Sequence, residues 1–233
     1  MAAPTGRSVV ERLQRWTTCD ISDALSRLGH QDGGLLEGLK MYSPEFERGE
    51  SKVVGPVFTV KFVPVSDSTA PRVSGNYIDQ VPQDAVVFIS QPLPHVNAAF
   101  GGLMSLRAQY LGAKGVVIDG LVRDLQEHRG LGFPVFARGH STNACNKICF
   151  ASEVNVPVTL HSALQDVTVS PSDYIIADLD GVVCVPAHLA EEALRIVGDI
   201  AAANEKCADA IRGGMSVAEA FATFRGKPAS KST

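Results

Sequence analysis

Between residues 85 and 136 the chain alternates short apolar runs with amphipathic stretches, and this alternation restricts the fold more than any other feature. The expected order is a strand at Ala85–Ile89, a loop ending Phe100-Gly101-Gly102, a helix at Leu103–Leu111 and a strand at Gly115–Asp119. A turn at Gly120–Arg123, a helix at Asp124–Gly130 and a strand at Phe133–Phe136 follow. Strands separated by helices of this length form βαβ units with parallel neighbours. The run Gly115-Val116-Val117-Ile118 is apolar throughout, as a strand covered on both faces requires. In the first of the two helices, Met104, Ala108 and Leu111 share one side and form its buried face.

The flanks extend the same α/β reading. Thr18-Cys19-Asp20 offers N-cap side chains to a helix carrying Ile21, Leu25 and Leu28 and stopped by Gly29. Val53–Val63 reads as a strand. Later, Val156–Leu160, Val167–Val169, Tyr174–Ala177 and Val182–Val185 read as short strands of a β layer, separated by turn residues such as Pro171-Ser172-Asp173 and Asp180-Gly181. A long helix from Ala187 carries Leu189, Ala193, Ile196, Ile200, Cys207 and Ile211 on one stripe and ends at Gly213-Gly214, and a last helix starts at Ser216. No composition shift marks a linker, so residues 1–225 read as a single domain, with the polar stretch 226–233 expected to be a disordered tail.

Charge and composition remove several classes of function. The 21 basic and 25 acidic side chains give a net charge of −4 without runs of one sign, so nucleic acid is not an expected partner. No apolar run reaches the roughly 18 to 20 residues of a membrane span, so no membrane partner is expected either. The five cysteines are odd in number, with C-x-x-x-C as the nearest spacing, which suits reduced thiols in the cytoplasm. Arg7, Arg12 and Arg15, with no acid before Glu11, leave a mitochondrial presequence as the alternative. No nucleophile elbow, P-loop or dinucleotide-binding glycine fingerprint occurs.

Ligands of open α/β sheets sit beyond the carboxyl ends of parallel strands, and two consecutive βα connections meet that condition here. In Phe100-Gly101-Gly102-Leu103-Met104, two glycines precede a helix, whose first backbone N–H groups suit a carboxylate or phosphate, although a plain glycine turn explains them as well. In Asp119-Gly120-Leu121-Val122-Arg123-Asp124, a guanidinium and a carboxylate stand side by side where a strand ends. Asp124 suits a hard divalent cation and Arg123 an oxygen of the same small molecule. The alternative is structural: Asp124 as a helix N-cap and Arg123 in a surface ion pair. One carboxylate is too few ligands for zinc but fits Mg²⁺ or Mn²⁺. Asp178 and Asp180 flank an Asp-Gly turn and read as structural.

Taken in order, several blocks resemble one family. They are Cys19-Asp20-Ile21-Ser22-Asp23-Ala24-Leu25, Gly55-Pro56-Val57-Phe58-Thr59-Val60, Gly101-Gly102-Leu103-Met104, the stretch Gly115 to Asp124, Gly132-Phe133-Pro134-Val135-Phe136-Ala137-Arg138-Gly139, Glu153 to Val158 and Ala177 to Val183. Together they resemble the RraA-like family, which includes 4-hydroxy-4-methyl-2-oxoglutarate aldolases and oxaloacetate decarboxylase relatives. The resemblance implies a three-layer β/β/α swivelling-type fold with C-terminal helices, assembled as a homotrimer or a dimer of trimers with sites between subunits.

The resemblance also implies a substrate class, the 2-oxo acids. In such enzymes the residue matching Asp124 binds a divalent metal, usually magnesium, and the one matching Arg123 contacts the pyruvoyl group. Backbone amides in the loop Gly101, Gly102, Leu103 and Met104 hold the substrate carboxylate. A glutamate from a neighbouring subunit completes the site, and Glu205, which projects away from the apolar stripe of the long helix, is its match. Polarisation of the 2-oxo group lets the next C–C bond break to an enolate, by retro-aldol cleavage or by decarboxylation.

Two departures bear on this expectation. Many bacterial members carry an acid where this chain has Gly102, whereas fungal-type members have Gly-Gly. The segment His140 to Lys147 replaces a glycine-richer stretch and is expected to reshape the pocket. The alternatives are a non-catalytic binding or regulatory protein, as in family members that inhibit an RNA-degrading enzyme, and a redirected lyase or isomerase in a specialised pathway.

Overall fold

The computed structural model describes residues 6–225. Its helices and strands, in chain order, are α1 (Gly6–Leu13), α2 (Thr18–Arg27), β1 (Lys40–Ser43), β2 (Val53–Pro64), β3 (Val86–Ser90), β4 (Ala98–Phe100), α3 (Gly102–Tyr110), β5 (Gly115–Val122) and α4 (Leu125–Leu131). There follow β6 (Val135–His140), β7 (Cys149–Val154), β8 (Val158–Thr159), β9 (Thr168–Val169), β10 (Tyr174–Asp178), β11 (Gly181–Val185), α5 (Ala190–Arg212) and α6 (Val217–Phe224). The tail expected at 226–233 lies outside the described residues.

The main sheet runs β1-β6-β5-β3-β2-β10-β11, with β4 added to β5 and β7 to β2. Pairs β2–β3, β3–β5 and β5–β6 are parallel, as the alternation between residues 85 and 136 requires. β1 also approaches β11, so the sheet curls until it nearly closes. Period-2 alternation divides its side chains between two cores. Val86, Phe88, Val117, Phe136 and Ile175 point into the enclosed core, while Val87, Ile89, Val116 and Ile118 point outward into a core shared with α3 and α4. A third cluster packs α1, α2 and α5 on β10 and β11. The result is the three-layer β/β/α arrangement with C-terminal helices.

Several local expectations are corrected. No turn interrupts Gly120–Arg123; β5 continues to Val122 past a register shift between Ile118 and Leu121. The buried Gln91 side chain supports that irregularity, accepting from Leu121 N at 3.0 Å and donating to Asn97 O at 2.7 Å. A Cβ at residue 120 would stand 2.2 Å from Gln91 Oε1, so the glycine there serves a close approach. The stretches at Val156–Leu160 and Val167–Val169 reduce to the two-residue strands β8 and β9, paired outside the main sheet. Strands β1, β4 and β7 lie where sequence patterning gave no signal, because each is short or carries mixed polar residues that the neighbouring strand holds in place. On α5 the buried positions are Ala190, Ala193, Leu194, Val197, Ile200 and Cys207, while Ile211 is exposed.

The α2 entrance fits its sequence closely. Thr17 and Asp20 form a capping box, one residue earlier than the sequence suggests. Asp178 accepts from both the N–H and the hydroxyl of Thr18, which makes it the structural carboxylate expected of it. No helix among the described residues is long and apolar enough to cross a membrane.

Candidate active site

The carboxyl end of β5 and the start of α3 enclose a cleft of about 670 Å³. Gly101, Leu103 and Met104 form one wall and Arg123, Asp124 and Glu127 the other. Cys145 and Asn146, from the segment after β6 that departs from the family pattern, close a third side. The Arg-Asp pair and the glycine loop therefore meet in one place, as the two βα connections suggest.

Asp124 does not cap α4. It stands at the cap position with φ 63° and ψ 42°, a left-handed conformation uncommon for a residue with a side chain, and makes no side-chain cap bond. Its Oδ2 instead accepts from the Gly102 N–H of α3 at 3.0 Å. Strain at a strand end that turns a carboxylate across a cleft is typical of a site held for function. Arg123 Nε lies 3.4 Å from Asp124 Oδ2, and both side chains are partly exposed. The surface ion pair of the structural alternative therefore exists, but the cap does not.

The two glycines leave space for two acids. A Cβ at residue 101 would lie 2.6 Å from Asp124 Oδ2 and 3.2 Å from Arg123 Nε. One at residue 102 would lie 1.8 Å from Glu127 Oε2. Of the loop amides expected to hold a carboxylate, Gly102 N is engaged by Asp124, and Met104 N donates to Gly101 O at 3.0 Å. The Leu103 N–H is the donor that first-turn helix geometry leaves open.

Behind the cleft, the fully buried His128 ties the two connections together. Its Nδ1 lies 2.8 Å from Ser105 Oγ on α3, its Nε2 2.6 Å from the Arg123 carbonyl oxygen, and its ring stacks on Phe100. Burial pushes the imidazole below its usual pKa, so the neutral ring bridges a hydroxyl and a carbonyl. Beside the cleft, a hydrogen bond with Cys149 holds the Cys145 thiol below its ordinary pKa, and the Arg123 charge acts in the same direction.

An oxygen donor set suits a hard cation. Asp124 keeps Oδ1 for a ligand, and no group of three or more His, Cys, Asp or Glu converges among the described residues. Magnesium, which keeps most of its waters and takes one or two protein carboxylates, fits such a wall; zinc does not. Glu205 is exposed on α5 and does not line this cleft within its own chain. Glu127 is not among the residues the sequence singles out, although its i, i+3 spacing from Asp124 on a helix facing the glycine loop is a usable signal.

A family model described as RraA-like, Aldolase/RraA, matches residues 18–184. A protein of Halalkalibacterium halodurans named "Putative 4-hydroxy-4-methyl-2-oxoglutarate aldolase" is 34% identical over 179 residues, 77% of this chain and 76% of that protein. Two other curated relatives are matched over less of their length, 33% of one and 56% of the other. An uncharacterized protein from Pseudomonas syringae pv. tomato has a crystal structure with TM-score 0.82 and 30% identity, covering 96% of this chain and 97% of that one. RraAS2 of Streptomyces coelicolor, described as an unusual member of the RNase ES inhibitor RraA protein family, superposes with TM-score 0.72 at 26% identity, covering 88% of this chain and 97% of that one.

Proposed function

The chain belongs to the RraA-like family, and on that premise we propose that it is a divalent-metal-dependent lyase that cleaves a C–C bond of a pyruvoyl-type 2-oxo acid. The observation that carries this reading is the Asp124 carboxylate, held in a left-handed turn and aimed across the cleft beside Arg123 instead of capping its own helix.

Asp124 would hold a divalent cation, magnesium or manganese, which when bound would supply Lewis-acid polarisation of the 2-oxo group. The chain's own residues do the rest. Arg123 donates to the oxygen on which negative charge grows as the bond breaks, and the Leu103 N–H at the α3 N-terminus faces the substrate carboxylate. His128 fixes the Arg123 carbonyl and thereby the turn from which the guanidinium projects. Retro-aldol cleavage of a 4-hydroxy-2-oxo acid and decarboxylation of oxaloacetate pass through the same enolate, so one cleft serves both.

The site is completed in a homotrimer or a dimer of trimers. Leu103, at the cleft, and Leu106 and Tyr110 further along α3 form an apolar row, 71%, 52% and 80% exposed, as a face covered by a second copy would be. Glu205, outside the cleft of its own chain, is then the residue delivered by the neighbouring subunit. The test is release of pyruvate from oxaloacetate and from 4-hydroxy-4-methyl-2-oxoglutarate, with and without chelator. Metal-dependent release from either supports the reading, and none from either removes it.

Similarity to RraAS2 favours a second reading, a non-catalytic regulatory protein that uses the same α3 row to bind another protein. Absence of metal-dependent oxalate binding at the cleft is the result that would prefer it.

A further inference from the structure

Glu127 is the one wall carboxylate to which neither the fold nor the ion pairs give a task. Its side chain forms no hydrogen bond or ion pair among the described residues, yet it lines the cleft one helical turn from Asp124. Its carboxylate is seated on Gly102, with Oε2 1.8 Å, the carboxyl carbon 2.6 Å and the Glu127 Cβ 2.7 Å from the place a Cβ would take. No residue but glycine at 102 admits it there, so the backbone of α3 is cut back at the one point where this acid enters the cleft. Gly101 does the same for Asp124. The two carboxylates differ in one respect: Asp124 has Oδ2 tied to the Gly102 amide, whereas Glu127 has both oxygens untied. An untied carboxylate on a flexible side chain beside a guanidinium and a held carboxylate is suited to moving a proton rather than to holding a fixed ligand.

We propose that Glu127 is the general base of aldol cleavage in this cleft, an inference that rests on the lyase reading above. Its carboxylate takes the proton of the substrate 4-hydroxyl. The C3–C4 bond then breaks, C4 and its oxygen become a carbonyl, and the electron pair enters the C2–C3 bond as the enolate of pyruvate, its charge on the C2 oxygen beside Arg123. The proton on Glu127 passes to C3, the C2 carbonyl re-forms, and the residue returns to its starting state. Oxaloacetate has no 4-hydroxyl. Its C3–C4 bond breaks with loss of carbon dioxide, and the enolate takes its proton from water, so this reaction calls for no base. Glu127 therefore sets whether the cleft performs aldol cleavage beside decarboxylation.

The test compares both substrates in Glu127→Gln, which keeps the side-chain volume, and measures oxalate binding in the presence of Mg²⁺ by calorimetry. General-base contributions are typically about 10² to 10⁴-fold. The expected result is a fall in hydroxy-oxo-acid cleavage at least about 10²-fold greater than the fall in decarboxylation, with oxalate affinity within about threefold of wild type. A second variant, Glu127→Gly with Gly102→Asp, removes the Glu127 Cβ as well, moves the acid from α4 to α3 into the vacated space and should recover aldol cleavage at least about tenfold over Glu127→Gly alone. Equal losses in both reactions, loss of oxalate binding, or unchanged cleavage in Glu127→Gln would each overturn the assignment while leaving the lyase reading in place. Failure of wild type on both substrates would remove both.

Discussion

Glu127 and Gly102 share one space: the Glu127 Oε2 lies 1.8 Å from the position of a Cβ at residue 102. Neither glycine of the pair is needed for backbone twist. Gly101 is extended at φ −143° and ψ 179°, and Gly102 opens α3 with helical geometry. Their requirement is steric: each missing side chain admits one acid to the cleft.

Gly102→Ala therefore disturbs the cleft. Rotation of the Glu127 carboxylate alone does not relieve the overlap, because the Glu127 Cβ is also within 2.7 Å, so α3 and α4 must separate slightly. Overpacking of this kind costs about 1 to 3 kcal/mol. Denaturant melts should show a loss in that range, and hydroxy-oxo-acid cleavage should fall at least about tenfold.

Asp124→Asn separates the backbone role of residue 124 from its charge. Asparagine tolerates the left-handed conformation at φ 63°, so the fold should keep its thermal midpoint within a few degrees. Loss of the anionic oxygen should lower kcat/KM by at least about 10²-fold and abolish Mg²⁺-dependent oxalate binding. Arg123→Ala should lower kcat/KM by at least a similar factor of about 10². Wild-type turnover in either variant would move the site elsewhere.

The sequence displays the parallel core and the Arg123–Asp124 connection because both rest on local signals: an apolar run covered on two faces, and charged residues just past its end. It does not display β1, β4 or β7, whose short mixed sequences become strands only when a neighbour supplies the ladder. The turn expected at Gly120 is absent for a long-range reason, since Gln91, on the adjoining strand's exit, supports the irregular strand at Leu121. Glycine at 102 reads as a lost acid in the sequence, whereas in space the same volume holds the carboxylate of a residue twenty-five positions later. Glu205 could be read only as facing away from its own core, which agrees with its exposure on α5 and leaves its partner to assembly.

His128→Phe tests the brace behind the cleft. Phenylalanine fills the buried volume but leaves Ser105 Oγ and the Arg123 carbonyl without their partner. Unsatisfied buried groups cost about 1 to 3 kcal/mol each. A stability loss of that order, with turnover falling more than oxalate affinity, is expected from denaturant melts and steady-state kinetics. An unchanged kcat would show that the Arg123 turn holds itself.

Glu205→Gln tests delivery from a neighbouring subunit. The variant should assemble normally and turn over more slowly, and subunit exchange with inactive Arg123→Ala protein should restore activity through mixed interfaces. A fully active monomer, or no recovery after verified exchange, would take Glu205 out of the site.

If Asp124 and Arg123 form a metal-dependent lyase site, titration of Mg²⁺ into chelator-treated protein restores its activity. With oxaloacetate as substrate, pyruvate formation should be near the uncatalysed rate without metal and rise saturably as Mg²⁺ is restored, and the rise should be lost in Asp124→Asn. Enzymatic pyruvate release at the same rate before and after complete metal removal would exclude a metal-dependent site at Asp124 and Arg123.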